Sequence, residues 1–134
     1  MNVINSKLHG IIDYLVVLFL LVAPRIFHLE NTTALFTYIL AGIHLALTIC
    51  TNFEYGLVRF IPLKIHGYVE LAVSIALVGL AFYLGGIDGD ASRNFYISFA
   101  IAVFVVWALT DYKTKPSGQR DIPYVESNSD GNMI

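Results

Sequence analysis

Lys7-Leu8-His9-Gly10-Ile11-Ile12-Asp13 opens one long apolar run, and Lys64-Ile65-His66-Gly67-Tyr68-Val69-Glu70 opens another with lysine, histidine, glycine and an acid in the same register. In a helix, residues four apart share a face. Each copy therefore sets an imidazole and a carboxylate one above the other, about 6 Å apart along the axis. If these runs cross a bilayer, both pairs lie just inside it, where an ionisable side chain is costly unless it is paired or used.

The composition supports a bilayer. The 134 residues are 57% hydrophobic and 13% charged, against about 45–50% and about 25% in soluble domains. The mean hydropathy is +0.69. A net charge of −2 with no basic stripe speaks against nucleic acid as a partner. Cys50 is the sole cysteine, which excludes a disulfide framework and a thiolate metal site. The first apolar run, residues 8–29, is too long for the core of a cleaved signal peptide and no cleavage pattern follows it, so the first helix is expected to stay attached.

Hydropathy divides the chain into four runs, residues 8–27, 34–53, 65–84 and 95–112. About twenty residues are needed to cross a hydrocarbon core of about 30 Å. Pro24 and Glu30-Asn31-Thr32-Thr33 part the first pair, residues 54–62 the middle pair, and Gly85-Gly86-Ile87-Asp88-Gly89-Asp90 the last. Asn5 or Ser6 suits the cap of the first helix, and Pro62 suits the first turn of the third. The expected fold is all-α, a four-helix transmembrane bundle.

Lys7, Arg59, Lys64, Lys113, Lys115 and Arg120 fall on one side of such a bundle, and only Arg25 and Arg93 on the other. By the positive-inside rule both termini face the cytoplasm, as in a multi-pass protein of a bacterial inner membrane. The second and fourth runs also end alike, Thr51-Asn52-Phe53 and Thr110-Asp111-Tyr112. A membrane domain over residues 1–112 is therefore expected, made of two duplicated helical hairpins, repeat 1 over 6–53 and repeat 2 over 63–112, related by an axis along the membrane normal. Residues 113–134 read as a polar cytoplasmic tail, disordered by composition. Gly10 and Gly67, beside the repeated histidines, predict close contact between the first and third helices.

His44 breaks the repeat, since Val103 or Ile101 stands at the matching position. At its depth it closes a proton- or metal-binding cluster of His9, Asp13, His44, His66 and Glu70, with Asn52, Asp111, Thr51 and Thr110 around the mouth. Three kinds of chemistry suit such a cluster. One is a charge-compensated clamp between helices. Another is a metal ion or haem, because imidazole and carboxylate suit zinc, iron or manganese and bundle cores hold such groups. The third is movement of protons or a small solute, with Asp13 and Glu70 as carriers and the histidines titrating near neutrality.

The spacing is neither the Glu-x-x-His of di-iron bundles nor the His-Glu-x-x-His of zinc proteases. The outer halves hold almost no ionisable residues, so a complete path would need an oligomeric partner or hydroxyls such as those of Tyr38 and Tyr96. No nucleotide-binding loop or Gly-x-Ser-x-Gly elbow is present. The leading expectation is a small non-enzymatic membrane subunit or module whose cluster binds a proton or metal ion. A membrane redox or metal-dependent enzyme subunit and an oligomeric transporter or channel are the alternatives. Expected partners are the lipid bilayer and either further copies or a larger membrane complex.

Overall fold

The computed structural model describes residues 3–117. The chain forms four helices: α1 (Ser6–Ile26), α2 (Asn31–Ile49), α3 (Leu63–Asp88) and α4 (Asp90–Leu109). All four are long and apolar enough to cross a membrane, as a multi-pass membrane protein requires. The closest packing is within the hairpins α1–α2 and α3–α4; α2 and α3 also touch, over a shorter stretch.

The start of α1 is set by Asn5, whose side-chain oxygen accepts from the backbone N–H of Leu8 at 2.8 Å. Pro62 precedes the first residue of α3. Pro24 lies within the last turn of α1, inside the expected run of residues 8–27, where its missing N–H costs one bond near an end that already leaves groups unpaired. One expected boundary moves. The expected glycine-rich loop of residues 85–90 contracts to Gly89, which takes a φ of +93° between α3 and α4. Helix continues through Gly85 and Gly86, which keeps their backbone groups within the helical hydrogen-bond ladder.

One stripe of each helix is buried. In α1 it runs His9, Asp13, Val17, Leu20 and Ala23, and in α3 His66, Glu70, Ser74, Leu77, Ala81 and Leu84. These follow a spacing of three and four, the inward face of a helix. Both stripes are polar at the helix start and apolar beyond it. Leu20, Ala41, Leu77, Ala81, Leu84, Tyr96, Phe99 and Ala100 form the apolar core from all four helices. Leu15, Leu18, Ile39, Ile43, Ile75, Phe82 and Ile101 face outward, where a lipid environment accepts them.

At the end where α1 and α3 begin, two short parallel bridges tie the helix exits to the helix entries. Ile4 pairs with the α4 exit, its N–H donating to the Leu109 carbonyl at 3.0 Å and its carbonyl accepting from Asp111 at 2.8 Å. Ile61 pairs with the α2 exit in the same way, through Cys50 at 2.8 Å and Asn52 at 2.7 Å. The segment following residue 117, which includes most of the expected tail, lies outside the described residues.

Candidate metal centre

His9 and Asp13 come from the first turns of α1, His66 and Glu70 from the first turns of α3, and all four side chains are buried. One donor atom from each lies within 4.8 Å of the other three. His9 Nε2 stands 3.4 Å from Asp13 Oδ1 and 3.3 Å from Glu70 Oε2; His66 Nε2 stands 3.2 Å from Asp13 Oδ2. Each acid thus meets the histidine of the other motif, and Asp13 meets that of its own as well. His44, from α2, reaches the edge of the group with Nε2 3.6 Å from Asp13 Oδ1. Of the five residues expected to cluster, four lie within this group and His44 stands at its edge.

The far side of each inner imidazole is fixed by a threonine. Thr110 gives its hydroxyl proton to the carbonyl of Val106 at 2.6 Å, so towards His9 Nδ1, 2.8 Å away, it acts only as an acceptor. Thr51 does the same through Leu47 at 2.6 Å and His66 Nδ1 at 2.7 Å. Both rings must therefore carry hydrogen on Nδ1. In the neutral form Nε2 is left with its lone pair pointing into the cluster. This is how proteins orient metal-ligating histidines.

The Nε2 atoms of His9, His44 and His66 and Oδ2 of Asp13 are buried without a hydrogen-bond partner. Burial of that kind costs about 1–3 kcal/mol per group unless something else satisfies it. Glu70 is better supplied, since the Tyr112 hydroxyl donates to its Oε2 at 2.7 Å. Burial and the neighbouring Glu70 carboxylate push the Tyr112 phenol well above its usual range, so it keeps its proton. Phe53, which follows α2 as Tyr112 follows α4, has no hydroxyl to offer Asp13, whose Oδ1 lies 3.6 Å from His44 Nε2.

Gly10 and Gly67 do not serve the expected contact between α1 and α3. A Cβ on Gly10 would collide with the ring of Phe53, and one on Gly67 would come within 2.8 Å of the ring of Tyr112. Each glycine is a seat for an aromatic ring arriving from a helix exit. Asn52 is buried, its N–H held by the Ile61 carbonyl at 2.7 Å. Asp111 turns instead to the chain that follows, accepting from the N–H groups of Lys113 and Thr114 at 2.9 and 3.1 Å. Hydrogen bonds from Thr114, with a smaller part from Lys113, hold its carboxyl below the usual range.

A second polar group, absent from the sequence reading, lies at the opposite end. Asp88 accepts from both the N–H and the hydroxyl of Thr33, at 2.7 and 2.6 Å. Thr33 also meets Ser92 at 2.8 Å, and Thr37 meets the buried Tyr96 hydroxyl at 2.7 Å. The signal available was the four-residue spacing of Thr33 with Thr37 and of Ser92 with Tyr96. The apolar side chains of Leu20, Leu77 and Phe99 belong to the core between the helices. No protein family, no curated protein and no solved structure matches the chain.

Proposed function

We propose that this is an integral membrane metalloprotein that holds a divalent transition-metal ion on His9, Asp13, His66 and Glu70, with His44 at the edge of the site. The separations between donor atoms carry the reading. Charge-assisted N–H···O bonds are about 2.7–2.9 Å long, shorter than the 3.2, 3.3 and 3.4 Å between the imidazoles and acids of the inner group. Two neighbouring ligands each about 2.0–2.2 Å from one ion, at tetrahedral or cis-octahedral angles, stand about 2.8–3.6 Å apart. These three contacts have the spacing of ligands that share an ion rather than of partners that share a proton.

Charge and donor type agree. Two carboxylates balance a divalent cation, which removes the cost of burying two negative groups, and mixed imidazole and carboxylate donors suit zinc, iron or manganese. The matched bridges, threonine contacts and ring seats support two copies of one hairpin around the ion. The excess of lysine and arginine at this end supports a cytoplasmic site, as in a bacterial inner-membrane protein.

The experiment is metal analysis of protein purified without chelator and re-exposed to zinc, iron(II) and manganese(II). Wild type should carry stoichiometric metal, and His66→Ala and Glu70→Gln should lose it while remaining folded by circular dichroism. Folded wild type that takes up none of the three ions would overturn the assignment.

A further inference from the structure

Resting on the metal reading, we infer that the site is served from the lipid phase by a neutral, membrane-dissolved ligand with an oxygen donor at one end and an alkyl or isoprenoid chain. A lateral cavity of about 450 Å³, counting the part open to the surroundings, is lined by Leu20, Leu40, Ile43, His44, Leu47, Val69, Glu70, Val73, Phe99 and Val103. Ile43 of α2 and Val69 of α3 stand at its exposed mouth; Leu20, Phe99 and Glu70 are buried at its inner end. The mouth lies between α2 and α3, the pair whose contact is shorter than that within either hairpin.

Two polar residues interrupt this apolar wall, and both belong to the cluster. Glu70 is one of the four converging ligands. His44 has a side chain 16% exposed, yet its Nε2 is buried without a hydrogen-bond partner. A molecule lying in the cavity with its oxygen inward would meet that imidazole and the metal site together. Its chain would lie along the aliphatic wall and leave between Ile43 and Val69 into the bilayer. A pocket that is mostly apolar with a few convergent polar groups is the usual form of a small-molecule site.

Charge selects the head group. Two carboxylates already neutralise a divalent ion, so an anionic head would bring an unbalanced charge into a medium of low dielectric constant. An alcohol or a carbonyl oxygen would not. The fit is therefore to a long-chain alcohol or quinone-like molecule, and a fatty-acid carboxylate is disfavoured.

The test uses the full chain in lipid nanodiscs, loaded with cobalt(II) in place of the native ion so that the ligand-field absorption reports on the metal's surroundings. Dodecanol should change the cobalt bands saturably; dodecane should not, and dodecanoate should do so more weakly. Ile43→Trp, which fills the mouth from a lipid-facing position, should keep the unliganded cobalt spectrum and lose the dodecanol response; Val69→Phe is the second variant should the first not fold. A cobalt-loaded wild type that ignores dodecanol overturns this inference and leaves the metal assignment standing. So does a response equal to that of dodecane, or one retained in both blocked variants. Failure of cobalt to bind overturns both.

Discussion

At the scale of single residues, the proposed metal site rests on two hydroxyl groups that touch the far side of the His9 and His66 rings and offer no ligand atom themselves. A neutral imidazole can offer Nε2 to a metal only while Nδ1–H has an acceptor, and a buried Nδ1–H without one is costly. Thr110 and Thr51 fill that role because each spends its own proton on a carbonyl one turn back in its helix. Replacing Thr51 or Thr110 by valine keeps the shape and removes the acceptor. Metal affinity in a competition titration should then fall about 10–100-fold. Thr48→Val should leave affinity unchanged, because the Thr48 hydroxyl donates within α2, to the His44 carbonyl. Equal affinities in all three variants would remove the threonines from the site. The His and acid residues of the cluster were legible from the repeated motif and the burial penalty. The part played by the threonines was not: which way a hydroxyl donates depends on neighbours in space, and sequence placed Thr51 and Thr110 only around the mouth. The hydrogen bond from the Tyr112 hydroxyl to Glu70 was hidden for the same reason.

At the scale of helices, starts were easier to read than ends. Asn5 and Pro62 act locally, through a cap and a fixed φ, and both lie where sequence placed the starts. The end of α3 is decided by its partner instead. A Cβ on Gly85 would lie 2.7 Å from the Cβ of Arg93, so that glycine permits α4 to fold back rather than breaking α3. The start of α2 likewise depends on Asp88 at the end of α3, which binds the Thr33 N–H. Glycine was thus informative as a marker and ambiguous as to cause. Gly67 can be separated from the permissive glycines by experiment. Gly67→Ala forces the Tyr112 ring off its seat and should destabilise the protein by about 1–3 kcal/mol, the range for overpacking. Because that ring carries the hydroxyl bound to Glu70, metal affinity should fall with it. Gly42→Ala meets nothing within 4 Å and should leave metal affinity unchanged and stability unchanged or slightly raised, because alanine suits a helix interior better than glycine. Thermal unfolding in detergent, with and without metal, measures both; a Gly67→Ala protein as stable as wild type would show that the ring has room to move.

Across the whole molecule, polar groups collect at the two ends of an apolar middle, and the end bearing the cluster is also where distant parts of the chain are fastened together. Sequence made the four helices and this polar end legible because periodic burial repeats along the chain. It left the fastening unseen because Glu54 belongs to no motif. Glu54 Oε2 accepts from the Ser6 hydroxyl at 2.9 Å and from the Ser117 N–H and hydroxyl at 3.2 and 2.9 Å. It thereby joins the start of α1, the α2–α3 connection and the chain beyond α4. Burial would raise its carboxyl, but the backbone and these serine hydrogen bonds outweigh burial and hold it below the usual range. A carboxylate lowered in the folded state contributes stability that is complete above its unfolded value, about 4.3, and is lost as pH falls through the lower folded value. The effect is modest, because the group is only partly buried and solvent screens it. The difference in melting temperature between wild type and Glu54→Gln, followed in detergent from pH 7 to pH 3, should therefore stay constant near neutrality and shrink below about pH 4.3. A difference that persists unchanged at pH 3, or grows on acidification, would mean that the ionised carboxylate does not fasten these segments.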